Sequence, residues 1–120
     1  MRILLEQNDI NLDIADTAYG LTPLSFAAKN GNKGVVSLLL ERNDINPGTA
    51  DKFGRTPLLV AAKEGHKGVV RVLAGRSNAN LNTVDLWGQT PLSLAALNGH
   101  EGVVRILVEQ NDVNPDKADT

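Results

Sequence analysis

The chain has 120 residues and a formal charge of −2, with 42% hydrophobic residues but only 3% aromatic and no cysteine. That balance predicts one soluble, intracellular (cytoplasmic or nuclear) domain with a thin aliphatic core, and excludes disulfides and thiolate metal sites. It gives no general attraction to nucleic acid or anionic membrane, and no apolar run approaches membrane-spanning length.

In chain order, the first element is a short helix. Arg2-Ile-Leu-Leu-Glu-Gln-Asn-Asp-Ile-Asn11 aligns with Arg105-Ile-Leu-Val-Glu-Gln-Asn-Asp-Val-Asn114 near the other end. Residues 1–15 therefore read as the second helix of a partial repeat plus its loop. Three longer units follow, at 16–49, 50–83 and 84–118. Gly20-x-Thr22-Pro23-Leu24, Gly54-x-Thr56-Pro57-Leu58 and Gly88-x-Thr90-Pro91-Leu92 recur every 34 residues. Ala27-Ala28, Gly31 and Val35-Val36 keep the same period through 61–62, 65 and 69–70 to 95–96, 99 and 103–104.

Each unit predicts a turn and two short helices. Thr22, Thr56 and Thr90 cap a first helix whose first position is proline, and Gly31, Gly65 and Gly99 end it in the left-handed conformation. A second helix starts near Gly34, Gly68 and Gly102. Asp44-Ile-Asn-Pro47 and Asp112-Val-Asn-Pro115 have loop chemistry. In the middle copy, Gly75 reads as a glycine inside the second helix, after Val72-Leu73-Ala74 and where the others carry glutamate, so fraying is expected near 74–77. Phe26, between Leu24 and Ala27, is expected in the core.

The Thr-Pro-Leu-x-x-Ala-Ala, Gly-His and Val-Val-x-x-Leu pattern resembles the ankyrin repeat family, and more loosely the arrays in large fungal signalling proteins. The resemblance implies an all-α solenoid of helix-turn-helix units with projecting β-hairpin loops, serving as a protein-interaction module rather than an enzyme. Two departures stand out. Ser25, Leu59 and Ser93 replace the family's usual histidine after Thr-Pro-Leu, and the period is one residue longer than the commonest one. His66 and His100, in the Gly-His position, are implied to bond neighbouring backbone; Asn32 stands there in the first unit. The resemblance also matches Asn11, Asn46, Asn80 and Asn114 to loop asparagines that are hydroxylated in some arrays, although a structural role in the turn is the simpler reading.

The resemblance further implies a contact surface of hairpin tips and first helices. It maps onto Leu21, Lys29 and Asn30 in the first unit, Lys52, Arg55, Lys63 and Glu64 in the second, and Leu86, Gln89, Leu97 and Asn98 in the third. Tyr19, Phe53 and Trp87, each one residue before the glycine of its motif, would add interface anchors, or would simply pack on the adjacent hairpin. The middle unit carries six basic residues against two acidic ones and the third carries two against five. An acidic patch on a partner would suit the former.

Chemistry is disfavoured. His100-Glu101 lacks the second histidine of a zinc-protease helix, because position 104 is valine, and the glycine spacing is too short for a phosphate loop. Neither Ser25 nor Ser93 has a His-Asp pair at matching repeat positions. No cofactor and no metal are expected, and the partner is an unspecified protein rather than nucleic acid or membrane. Because the end units are as apolar as internal ones, the chain reads as a piece of a longer array; a structural spacer, or self-association through uncapped end faces, is the alternative.

Overall fold

A computed structural model describes residues 20–76 and 79–112, without the side chains of 111 and 112. The expected helix at 1–15, Tyr19 and the loop at 113–115 lie outside the described residues. Among the described residues six helices are seen: α1 Pro23–Lys29, α2 Lys33–Leu40, α3 Pro57–Glu64, α4 Lys67–Ala74, α5 Pro91–Leu97 and α6 Glu101–Asp112. The chain is an all-α repeat solenoid. The first helices α1, α3 and α5 pack in one layer and the second helices α2, α4 and α6 in another, with each pair joined by its own turn.

The local signals act as their chemistry dictates. Thr22, Thr56 and Thr90 lie in extended backbone, and each hydroxyl accepts the N–H three residues on. Ser25 and Ser93, which stand where the family usually has histidine, bond to the capping threonine of their own helix. The Thr22 hydroxyl donates to Ser25 Oγ at 3.2 Å, and the Thr90 N–H donates to Ser93 Oγ at 2.8 Å. Leu59, the third replacement, is fully buried and contributes packing instead. Replacing Thr56 with alanine removes the cap of the central first helix and is expected to cost about 1 kcal/mol, measured as a lower urea midpoint with unchanged helical content.

Small side chains allow the layers to approach. Ala28, Ala61, Ala62 and Ala95 are fully buried, and with Leu24, Val36, Val69, Val70, Leu73 and Val103 they form one continuous aliphatic core. Gly31 and Gly65 have φ of +72° and +82°, and a Cβ at either would meet the ring of His66 or His100 at 2.6 Å. Those rings reach across the repeat boundary. His66 Nε2 lies 2.8 Å from the Lys29 carbonyl and His100 Nε2 lies 2.9 Å from that of Lys63. Each histidine is thus a fastener between units, while Asn32 instead caps α2 by accepting the Val35 N–H.

Two expectations need correction. Phe26 is not core: it is 40% exposed, whereas its equivalents Val60 and Leu94 are buried. Val60 faces the preceding unit, where it shares a depression with Leu21 and Lys29, and α1 has no first helix before it among the described residues. Gly75 is not inside a helix; it caps α4, which is eight residues long, as is α2. The hairpins contain no strand among the described residues. They are tight turns, closed by Asp51 N–H to Arg55 O at 2.8 Å and Asp85 N–H to Gln89 O at 3.1 Å.

Candidate functional site: hairpin tips and first-helix groove

The two described hairpins between units are built around an aspartate. Asp51 Oδ1 accepts the N–H groups of Phe53 and Arg55 at 2.8 and 2.9 Å, and Asp85 Oδ1 accepts those of Trp87 and Gln89, both at 2.9 Å. Left-handed Gly54 and Gly88 complete the turns, each with φ +76°. The Leu86 N–H then donates to the Phe53 carbonyl at 3.0 Å, locking one hairpin to the next.

This frame orders the aromatic side chains. Phe53 and Trp87 stack with centroids 6.0 Å apart and planes inclined by 24°. The Arg55 guanidinium lies 5.3 Å from the Trp87 ring centroid, and its Nε donates to Asp85 Oδ2 at 3.2 Å. Phe53 therefore does pack on the adjacent hairpin, as one of the two readings of these rings required. Trp87 nonetheless remains 62% exposed, so the stack holds a large, ordered apolar surface in solvent.

Burial alone pushes the Asp85 carboxyl up, but the hydrogen bonds from Gln89, Trp87 and Arg55, together with the guanidinium charge, outweigh it and hold the carboxyl below its usual range. The Arg42–Asp44 pair, by contrast, is on the surface. There the Arg42 hydrogen bond is the main cause lowering Asp44.

The remaining positions differ in exposure. Leu21 is only 7% exposed and belongs to the floor of a depression that also includes Lys29, Phe53, Arg55, Val60, Lys63 and Glu64. Lys29, Asn30, Lys52 and Glu64 are exposed, and Lys63 lies half-buried with its Nζ 3.8 Å from Glu64. Leu86 and Leu97, each 71% exposed, extend the apolar surface of Trp87's unit. Gln89 is half-buried, whereas Asn98 is occupied by its own helix end, with Nδ2 donating to Leu94 O at 2.8 Å. Lys67 lies in the second-helix layer, its stem against Gly102, and adds no charge to this depression.

Asp51 and Asp85 are functional in ordering these tips and were not singled out from the sequence. Their signal is the shared spacing Asp-x-aromatic-Gly, 34 residues apart. Asn46 and Asn80 act as turn formers, their Oδ1 atoms accepting the N–H groups of Gly48 and Asn82 at 2.9 and 3.0 Å. Among the described residues, no three His, Cys, Asp or Glu side chains gather as a metal site, and no helix is long and apolar enough to cross a membrane.

Stacked helix pairs, left-handed glycines under cross-unit histidines and projecting turns define a class of interaction scaffold. The family pattern described as ankyrin repeats (3 copies) matches residues 43–119, and that described as ankyrin repeat matches 19–52. The chain belongs to the ankyrin repeat family, whose repeats are in general protein–protein interaction modules. No curated protein matches the sequence.

Proposed function

We propose that this chain binds a protein partner through the groove formed by its hairpin tips and first helices. The observation that carries the reading is the exposed Trp87 ring, backed by the half-buried Phe53 and Arg55. These side chains are held by stacking and by Asp85 before any partner arrives. Preordering reduces the entropy lost on association, and an amphipathic ring with few rotors is the kind of group that dominates interface energy. Leu86 and Leu97 extend the apolar contact, while the exposed Lys29 and Lys52 favour a partner with carboxylates around an apolar centre.

Alanine at both Phe53 and Trp87 tests the reading. With a partner isolated on the wild-type chain, the double variant is expected to bind at least 30-fold more weakly, on the order of 2 kcal/mol. Unchanged affinity in a variant that keeps its helical content would contradict it.

A structural or self-associating role has one observation in its favour. Ala96 is exposed where Ala28 and Ala62 are fully buried, and a Cβ at Gly88 or Gly99 would meet nothing within 4 Å. The outer face of the third unit therefore keeps the shape of an internal face and could seat another repeat, in the same chain or in a second copy. Concentration-dependent mass in light scattering, abolished by Ala96→Glu, is expected on that reading; a strict monomer at high concentration contradicts self-association.

A further inference from the structure

A second concavity, of about 300 Å³, lies between the loop after α2 and the loop after α4, and shares no lining residue with the groove depression. Leu58 and Leu73 give it an apolar floor, and Asn46, Asn80, Thr83 and Arg76 give it polar walls. No carboxylate is among its described lining residues.

Arg76 is the anomaly. Its counterpart one repeat earlier, Arg42, holds Asp44 with both arms, Nε to Oδ1 at 3.0 Å and Nη2 to Oδ2 at 3.2 Å. In the second unit the residue at Asp44's position is Asn78, and Arg76 forms no ion pair among the described residues. Its Nε is buried and has no hydrogen-bond partner among the described residues. A buried donor on a permanent cation is costly to leave unmade, and a guanidinium fork fits the paired oxygens of a carboxylate or phosphate.

The neighbouring asparagines set the sign of the ligand. The Oδ1 atoms of Asn46 and Asn80 already accept backbone N–H groups, so their Nδ2 groups remain to donate. A cation would meet like charge at Arg76 and oxygens already engaged; an oxyanion would meet donors. The volume sits at the small end of ligand sites, and the leucine floor suits a short carbon skeleton. We propose that this cleft binds a small organic oxyanion, a carboxylate or phosphate monoester, with its head group on Arg76. The groove reading neither supports nor requires this site.

The test is a ¹H–¹⁵N NMR titration of the whole chain with succinate, glycerol phosphate or inorganic phosphate, at ionic strength held constant with chloride. Saturable shifts are expected at the Gly48 and Asn82 amides and at Arg76 Nε–H. Tighter binding of succinate than of glycerol phosphate would assign a carboxylate, and the reverse order a phosphate ester; inorganic phosphate reports the head group alone. Arg76→Gln is expected to weaken binding at least tenfold, while Arg42→Gln leaves it unchanged. Asn80→Asp keeps the oxygen that closes the turn but sets a carboxylate in the cleft, so it should also abolish binding, and it decides the matter if Arg76→Gln does not fold. Linear, unsaturable shifts with all three anions, or binding retained in Asn80→Asp or in folded Arg76→Gln, would overturn the proposal.

Discussion

Gly65→Ala is expected to lower the unfolding free energy by about 2–4 kcal/mol, whereas the same change at Gly99 should cost only about 1–2 kcal/mol. Both residues adopt left-handed backbone, with φ of +82° and +74°, so both alanines carry the same intrinsic strain. The difference lies in the next unit. An alanine Cβ at 65 would stand 2.6 Å from His100 Nδ1 and push the ring from the Lys63 carbonyl, while at 99 it would enter open space. Urea unfolding of the two variants isolates the cross-unit contact. His100→Ala supplies the check: once the ring is gone, the extra penalty at 65 should disappear. Equal costs for the two glycine variants would show that the histidine fastener contributes nothing.

Asp85→Ala is expected to destabilise the chain by about 3 kcal/mol. The side chain is fully buried and accepts from Trp87 N–H, Gln89 N–H and Arg55 Nε, so alanine leaves three donors and a largely buried cation without their acceptor. Asp85→Asn keeps an oxygen but loses the charge, and about 1–2 kcal/mol is expected. Because Arg55 lies over the only tryptophan, either change should also alter Trp87 fluorescence before unfolding.

The pH dependence follows from the lowered carboxyl. A group that is more acidic in the folded than in the unfolded chain stabilises the fold above its unfolded pKa, about 3.9 for aspartate. That contribution is lost as pH falls through the lower folded value. The gap in urea midpoint between wild type and Asp85→Asn should therefore be constant from neutrality to about pH 5 and close below about pH 4. A gap that widens in acid would mean that the carboxylate is not stabilised by these donors.

The helices were legible in the sequence because their signals are local. Thr-Pro starts a helix through one hydroxyl and one missing N–H, and glycine ends it through backbone freedom, whatever lies around them. The histidines needed the family resemblance, since their acceptors lie 37 residues away. Phe26 was misread because 3.6-residue periodicity says which side of a helix is apolar, but not whether another element stands there to cover it. Gly75 was misread for a related reason: its neighbours looked helical, yet α4 closes at Ala74.

The candidate surface was less readable. Repeat spacing marked the positions of Phe53 and Trp87, but the ring stack and the Arg55–Asp85 pair depend on how adjacent hairpins lock together. Nothing in the sequence separated Leu21, folded into the floor, from Leu86 and Leu97, which stand in solvent. A leucine in a turn or at a helix end serves either role, and only the neighbouring unit decides.

Hydroxyl-radical footprinting of the chain, alone and with its isolated partner, tests the groove most directly. The predicted result is reduced oxidation at Leu86, Trp87 and Leu97, with Leu38 and Val108, exposed on the second helices α2 and α6, unchanged. Protection confined to Leu38 or Val108, with Trp87 still fully reactive, would contradict binding through the hairpin tips.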